Sequence, residues 1–183
     1  MVSLFRTTMT LAAPTTLAML ITLGCNSKAK PTEANFSQTI NTYYTEHPEC
    51  LFSGLRFPYA TSDPAETKQM NTLVKSQLLE SSYESAVKTT RYTIGRAGQR
   101  YAPRFCYGHR TVTAITSSTP PAKGKTGFPE SQINYTYKLE DVPVWAQSAE
   151  VQAVYPKMAS AATQGGSAEI TLAQTLAGWQ VPE

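Results

Sequence analysis

Between Glu84 and Glu130 this chain carries no acidic residue. Histidine and cysteine are also scarce, with two and three in 183 residues, and no Cys-x-x-Cys occurs. His47 and His109 by themselves fall short of a stable zinc site. The absence of Gly-x-Ser-x-Gly removes the nucleophile setting of the α/β-hydrolases. Adjacent strand residues point to opposite faces, so Glu140 and Asp141 make a poor catalytic carboxylate pair. No catalytic residue, metal ligand or cofactor is therefore assigned. Past residue 24 there is no apolar run long enough to span a membrane, and no internal repeat.

The first 24 residues are different. Met1 to Arg6 hold one positive charge, Thr7 to Gly24 hold none, and the chain then turns polar at Asn26-Ser27-Lys28. A positive start, an apolar stretch and small residues at its end make a secretory signal. Pro14 and the scattered threonines argue against a retained spanning helix. The terminal Leu23-Gly24-Cys25 resembles the lipobox of bacterial lipoproteins, with Thr22 where the usual box has leucine. That resemblance implies cleavage before Cys25, acylation of Cys25, and a protein anchored in the cell envelope that faces the periplasm. Asn26, rather than the aspartate that resembles an inner-membrane retention signal, favours the outer membrane in a host that has one.

Setting Cys25 aside leaves Cys50 and Cys106, an even pair suited to an oxidising compartment. Their bridge would close a loop of about 57 residues, worth roughly 4 kcal/mol in the chain-entropy treatment. Two buried free thiols are the alternative. The chain divides into a signal (1–24), a lipidated flexible tether (25–35) and one domain (36–183), with subregions 36–104 and 105–183. Hydrophobic content of 41% is enough for a core.

Phe36, Ile40 and Tyr43 or Tyr44 recur at helical spacing, with Asn35 as the N-cap, and His47-Pro48 ends that helix. Asp63-Pro64-Ala65-Glu66 opens a second helix, lined by Met70, Leu73, Val74 and Leu78 and running to about Glu80. Strands are expected over 109–116 and 133–139, where the second alternates without fault, and again over 169–172 and 178–181. Residues 117–129, rich in proline, glycine and lysine, form a loop. One short helix between Pro143 and Tyr155 ends at Pro156. Helices early and strands late make an α+β fold, with N-terminal helices, a β-hairpin and a mostly antiparallel sheet.

Within residues 63–101, Leu78-Leu79, Tyr92, Ile94 and Gly98 resemble a winged-helix unit, in which a helix is followed by a β-hairpin wing. Gly95 stands where that unit has threonine. The resemblance implies nucleic-acid binding, which export confines to extracytoplasmic DNA handling or to a fold reused without DNA.

Lys88, Arg91, Arg96, Arg100, Arg104, Arg110, Lys123 and Lys125 occupy the acid-free stretch, while residues 130–183 hold six acids against two lysines. Such segregation points to a basic face. Arg91, Arg96, Arg100 and Arg104 are its candidate anion-binding residues. Three function classes follow. The first is a non-catalytic binding or scaffolding module for an anionic envelope polymer or a membrane-protein partner. The second is an envelope hydrolase acting on glycan or lipid, and the third is a nucleic-acid module. Cys25→Ala is expected to abolish metabolic labelling with palmitate and to leave uncleaved precursor, as read by gel mobility and intact mass.

Overall fold

Helix α1 (Glu33–Glu46) opens with Thr32 as its cap, the hydroxyl accepting the Asn35 N–H at 3.3 Å. The computed structural model describes residues 27–182, so Cys25 and the lipobox lie outside the described residues. The cap of α1 is therefore three residues earlier than the one expected at Asn35. Asn35 turns its side-chain amide back instead, donating to the carbonyls of Ser27 and Lys30 at 2.7 and 2.9 Å. The 3-10 turn Ser27–Ala29 precedes it. Gln174 donates to the Ala29 carbonyl at 2.7 Å and the Trp179 indole N–H to the Lys30 carbonyl at 3.0 Å. The stretch read as a flexible tether is thus docked on the domain from Ser27 onward, because side-chain donors from three elements satisfy its carbonyls.

The remaining elements are β1 (Glu49–Cys50), β2 (Tyr59–Thr61), α2 (Pro64–Lys75), β3 (Leu79–Glu84), β4 (Thr89–Ile94), β5 (Cys106–Ser118) and β6 (Ala122–Lys123), followed by β7 (Pro129–Glu140), α3 (Ala149–Val154), α4 (Pro156–Gln164), β8 (Gly166–Thr175) and β9 (Gly178–Gln180). The fold is α+β. An antiparallel sheet runs β1-β5-β7-β8-β9 with β6 beside β7, and a three-stranded sheet runs β2-β4-β3. Among the described residues no helix is long and apolar enough to cross a membrane.

Asp63 caps α2 as its sequence implies, accepting the Glu66 N–H at 2.8 Å. Glu66 does not complete a reciprocal box; its carboxylate accepts from the hydroxyls of Tyr59 at 2.5 Å and Thr61 at 2.7 Å, tying β2 to the first turn of α2. The helix stops at Lys75 rather than near Glu80, since Gln77 enters the left-handed region (φ 60°) and Leu79 begins a strand. After β7, helical structure comes in pieces: the 3-10 turn Val144–Gln147, then α3, then α4. Pro156 starts α4 instead of ending the helical region, because proline at the first helical position lacks only an N–H that would be unpaired there.

Two cores result. Phe36 and Ile40 of α1 pack on Ile133 and Tyr135 of β7, Leu172 of β8 and Trp179 of β9. The second core joins Met70, Leu73, Leu78, Leu79 and Tyr92 to Phe105, Tyr107, Leu139, Trp145, Val151 and Met158. Each core draws on both 36–104 and 105–182, so packing does not follow that division.

Cys50 and Cys106 form a disulfide between directly opposed residues of β1 and β5. Cys50→Ala is expected to destabilise the domain by roughly 2–5 kcal/mol in urea unfolding. The non-reduced wild-type protein should show no alkylatable thiol at either position.

Candidate functional site

The segment after β4 is pressed onto the turn between α2 and β3. Leu78 donates its N–H to the Leu73 carbonyl, and its own carbonyl accepts the Gly95 N–H at 3.0 Å. A side chain on Gly98 would place its Cβ 2.0 Å from the Leu78 carbonyl oxygen. Only glycine permits that approach. The 3-10 turn Arg96–Gly98 then projects Arg96 outward, and Arg100 follows one turn later.

Together these residues line a surface groove of about 1030 Å³ with Val74, Gln77, Leu79, Glu80, Ser81, Ala97 and Gln99. The Arg100 guanidinium lies 4.7 Å over the Tyr101 ring, which orients it at little cost in rotamer freedom. Ion pairs among the described residues are Arg91–Glu84, His109–Asp141, Arg110–Glu49 and Lys138–Glu140. Neither Arg96 nor Arg100 is among them. The groove thus offers two guanidinium groups, two carboxamides and a hydroxyl, against the single carboxylate of Glu80.

The four arginines of the acid-free stretch separate. Arg96 and Arg100 share the groove. Arg91 stands opposite Ser82 on the hairpin, with Glu84 at 3.4 Å, a pairing of half-exposed groups that contributes little. Arg104 is exposed and outside the groove lining, its carbonyl accepting the Phe52 N–H. Gln77, Gln99 and Ser81 have no sequence signal as site residues; they reach the groove through the contact between Gly98 and Leu78.

Arg110 has a different role. Its Nε donates to Glu49 at 2.6 Å, its Nη1 lies 3.2 and 3.4 Å from the hydroxyls of Tyr44 and Tyr135, and it stacks over Tyr44 and Tyr137 at 4.8 and 4.5 Å. This cation bolts α1, β1, β5 and β7 together and is not presented to a ligand. A signal existed: Arg110 lies two residues from Val112, on the apolar face of its strand.

The histidines do not form a pair. His47 stacks on Tyr43 at 4.1 Å and hydrogen-bonds its carbonyl, while His109 lies 3.5 Å from Asp141. Among the described residues no three His, Cys, Asp or Glu side chains converge as a metal site would require. Glu140 accepts from Thr111 at 3.0 Å and pairs with Lys138 at 2.9 Å; Lys138 and Thr111 hold its carboxyl below the usual range. A second cavity, of about 360 Å³, lies beside the disulfide and is lined by Leu51, Gln69, Tyr107 and the α3–α4 junction. No protein-family model, curated protein or solved structure matches this chain.

Several phenols are held protonated. Burial, and then the charge of Glu49, push Tyr107 up to about 12. Burial and the hydrogen bond with Tyr135 raise Tyr44, and burial alone raises Tyr155. An unfolded tyrosine titrates near pH 10. Since the folded values are higher, the stability these groups contribute is fully present below that pH and is lost as pH rises toward the folded values. The thermal midpoint should fall from about pH 10 upward. Phenolate absorbance from these tyrosines should appear at higher pH in the folded protein than in the unfolded chain, where tyrosine titrates near pH 10.

Proposed function

We propose that this chain is an envelope-anchored, non-catalytic binding module that takes an anionic polymer in the Arg96–Arg100 groove. The carrying observation is the pair of guanidinium groups lining one concavity, in no ion pair among the described residues, flanked by Gln77, Ser81 and Gln99. Guanidinium forks match phosphate and carboxylate geometry, and carboxamide and hydroxyl donors extend the match to neutral oxygens. In the envelope such ligands are lipopolysaccharide phosphates and acidic glycans. Export and lipidation at Cys25, which the Leu23-Gly24-Cys25 resemblance implies, would put the module where those polymers occur.

A second reading takes nucleic acid as the polyanion. It is supported by the strand order β2-β4-β3 around α2 and by the winged-helix resemblance of Leu78-Leu79, Tyr92, Ile94 and Gly98. Against it stands export, which removes transcriptional control. The hydrolase reading draws less support, since Glu140 is committed to Thr111 and Lys138.

Inorganic polyphosphate, lipopolysaccharide and duplex DNA serve as separate probes. Binding to the true ligand class should weaken roughly tenfold between 50 and 200 mM salt for two charge contacts. Replacing Arg96 and Arg100 with Gln should weaken it by roughly tenfold or more, while Arg91→Gln changes it little. The melting temperature of each variant should stay near wild type, because exposed charges contribute little to folding. Binding insensitive to both salt and the double substitution would refute the groove. DNA bound in preference to lipopolysaccharide would favour the second reading.

A further inference from the structure

One end of the large sheet gathers features that neither core uses. Register sets them side by side: Ala122 of β6 faces Glu130 of β7, which faces Ala173 of β8, and Thr175 of β8 faces Gly178 of β9. The β6–β7 turn and the β8–β9 turn therefore emerge at the same end, across a rim about 14 Å wide at the usual strand spacing. Leu176 at the tip of the second turn is 93% exposed, and Phe128 in the first is 47% exposed.

The N-terminal segment is held at this end as well. A Cβ built on Gly178 lies 3.2 Å from the Cβ of Lys28, and Trp179 and Gln174 bind the Lys30 and Ala29 carbonyls. Lys28, Lys30, Lys123 and Lys125 are all exposed there. The acids nearby include Glu33 at the start of α1, Glu46, which lines one cavity with Lys28 and Gly178, and Glu130, whose carboxylate accepts from the Thr126 N–H and hydroxyl at 2.9 and 2.7 Å.

We propose that this end of the sheet, with Leu176, Phe128 and the four lysines, is a membrane-facing rim that rests on lipid headgroups and fixes the orientation of the domain. The proposal rests on the reading of Cys25 as the acylated residue. Two residues of chain span at most about 7 Å, so an acylated Cys25 brings Ser27, and the turn against which its neighbour Lys28 packs, to the headgroup layer. Exposed apolar tips flanked by lysines suit that layer, where acyl boundary and anionic headgroups meet. A bilayer is favoured over a second copy of the chain because the covalent anchor already holds the rim at the lipid surface.

Orientation then bears on the groove. Leu78 and Leu79, which underlie it, share a core with Tyr107 and Leu139 at the opposite end of β5 and β7. From Glu130 to Leu139 the strand rises about 30 Å. The docked rim would keep the half of the domain that carries the Arg96–Arg100 groove roughly that far along the strands from the headgroups.

The test places a single thiol at Leu176→Cys, Phe128→Cys or Val144→Cys in the full-length lipidated protein. Val144, 83% exposed, lies in the 3-10 turn past the far end of β7 and is the control. Each thiol carries an environment-sensitive fluorophore, and the protein is reconstituted in vesicles of phosphatidylethanolamine and phosphatidylglycerol bearing a headgroup-depth quencher. Blue-shifted, severalfold brighter and quenchable emission at 176 and 128, with aqueous emission at 144, is the expected result. Aqueous emission at 176 and 128 in a protein whose wild type takes up no dye would overturn the rim and leave the anchor intact. Dye uptake by wild type at Cys25 would overturn the anchoring reading and the rim together. A blue shift at 176 that grows with protein concentration in detergent without lipid would assign the rim to a second copy and overturn the bilayer as its occupant.

Discussion

A largely buried guanidinium organises this fold. Arg110 keeps only 22% of its side-chain surface, and a cation so enclosed needs a counter-charge and hydrogen-bond acceptors to offset its desolvation. Glu49 supplies the counter-charge, Tyr44 and Tyr135 supply oxygen acceptors, and the rings of Tyr44 and Tyr137 cover its faces. Those partners come from α1, β1 and β7, while Arg110 itself belongs to β5. One side chain thereby touches all four elements. The disulfide lies beside this cluster, since Cys50 follows Glu49, so covalent and ionic links hold the same short strand to β5.

From that junction the two cores extend in opposite directions. Toward Pro129 and Trp179, α1 covers one face of the large sheet, and the other face stays polar with Thr113, Asn134, Gln132 and Glu169. One covered face and one wet face is the common state of an antiparallel sheet. Toward Leu139 and Tyr107, the small sheet, α2, α3 and α4 close over the sheet end. The groove belongs to this second half. Its shape depends on Gly98 meeting the Leu78 carbonyl, so Arg96 and Arg100 stand on backbone held by packing and hydrogen bonds.

Local signals were legible where a short pattern sufficed. Asp63-Pro64 starts α2 because an acceptor and a missing N–H both suit the first turn, and the alternation over 133–139 places Ile133, Tyr135 and Leu139 inside. Signals that pitted two local options against each other misled. Thr32 and Asn35 are both competent caps, and the choice fell to Thr32 because Asn35 has better acceptors in Ser27 and Lys30. Pro156 can end one helix or begin another, and packing of Met158 into the second core accompanies the second outcome.

By itself the sequence determined the α+β class, the start of α2, the inward face of β7 and the charge segregation that marks residues 85–129, since each of these rests on neighbours in the chain. It also offered Cys50 and Cys106 as partners once Cys25 was set aside. Tertiary structure alone decided which arginines share a concavity, that Arg110 is enclosed while Arg96 is presented, and that Ser27–Asn35 docks beside β9. The physical reason is the same in each case. Spacing along the chain sets the face on which a side chain emerges, but the company it keeps depends on contacts between residues distant in the chain, such as Gly98 on Leu78 and Lys30 on Trp179.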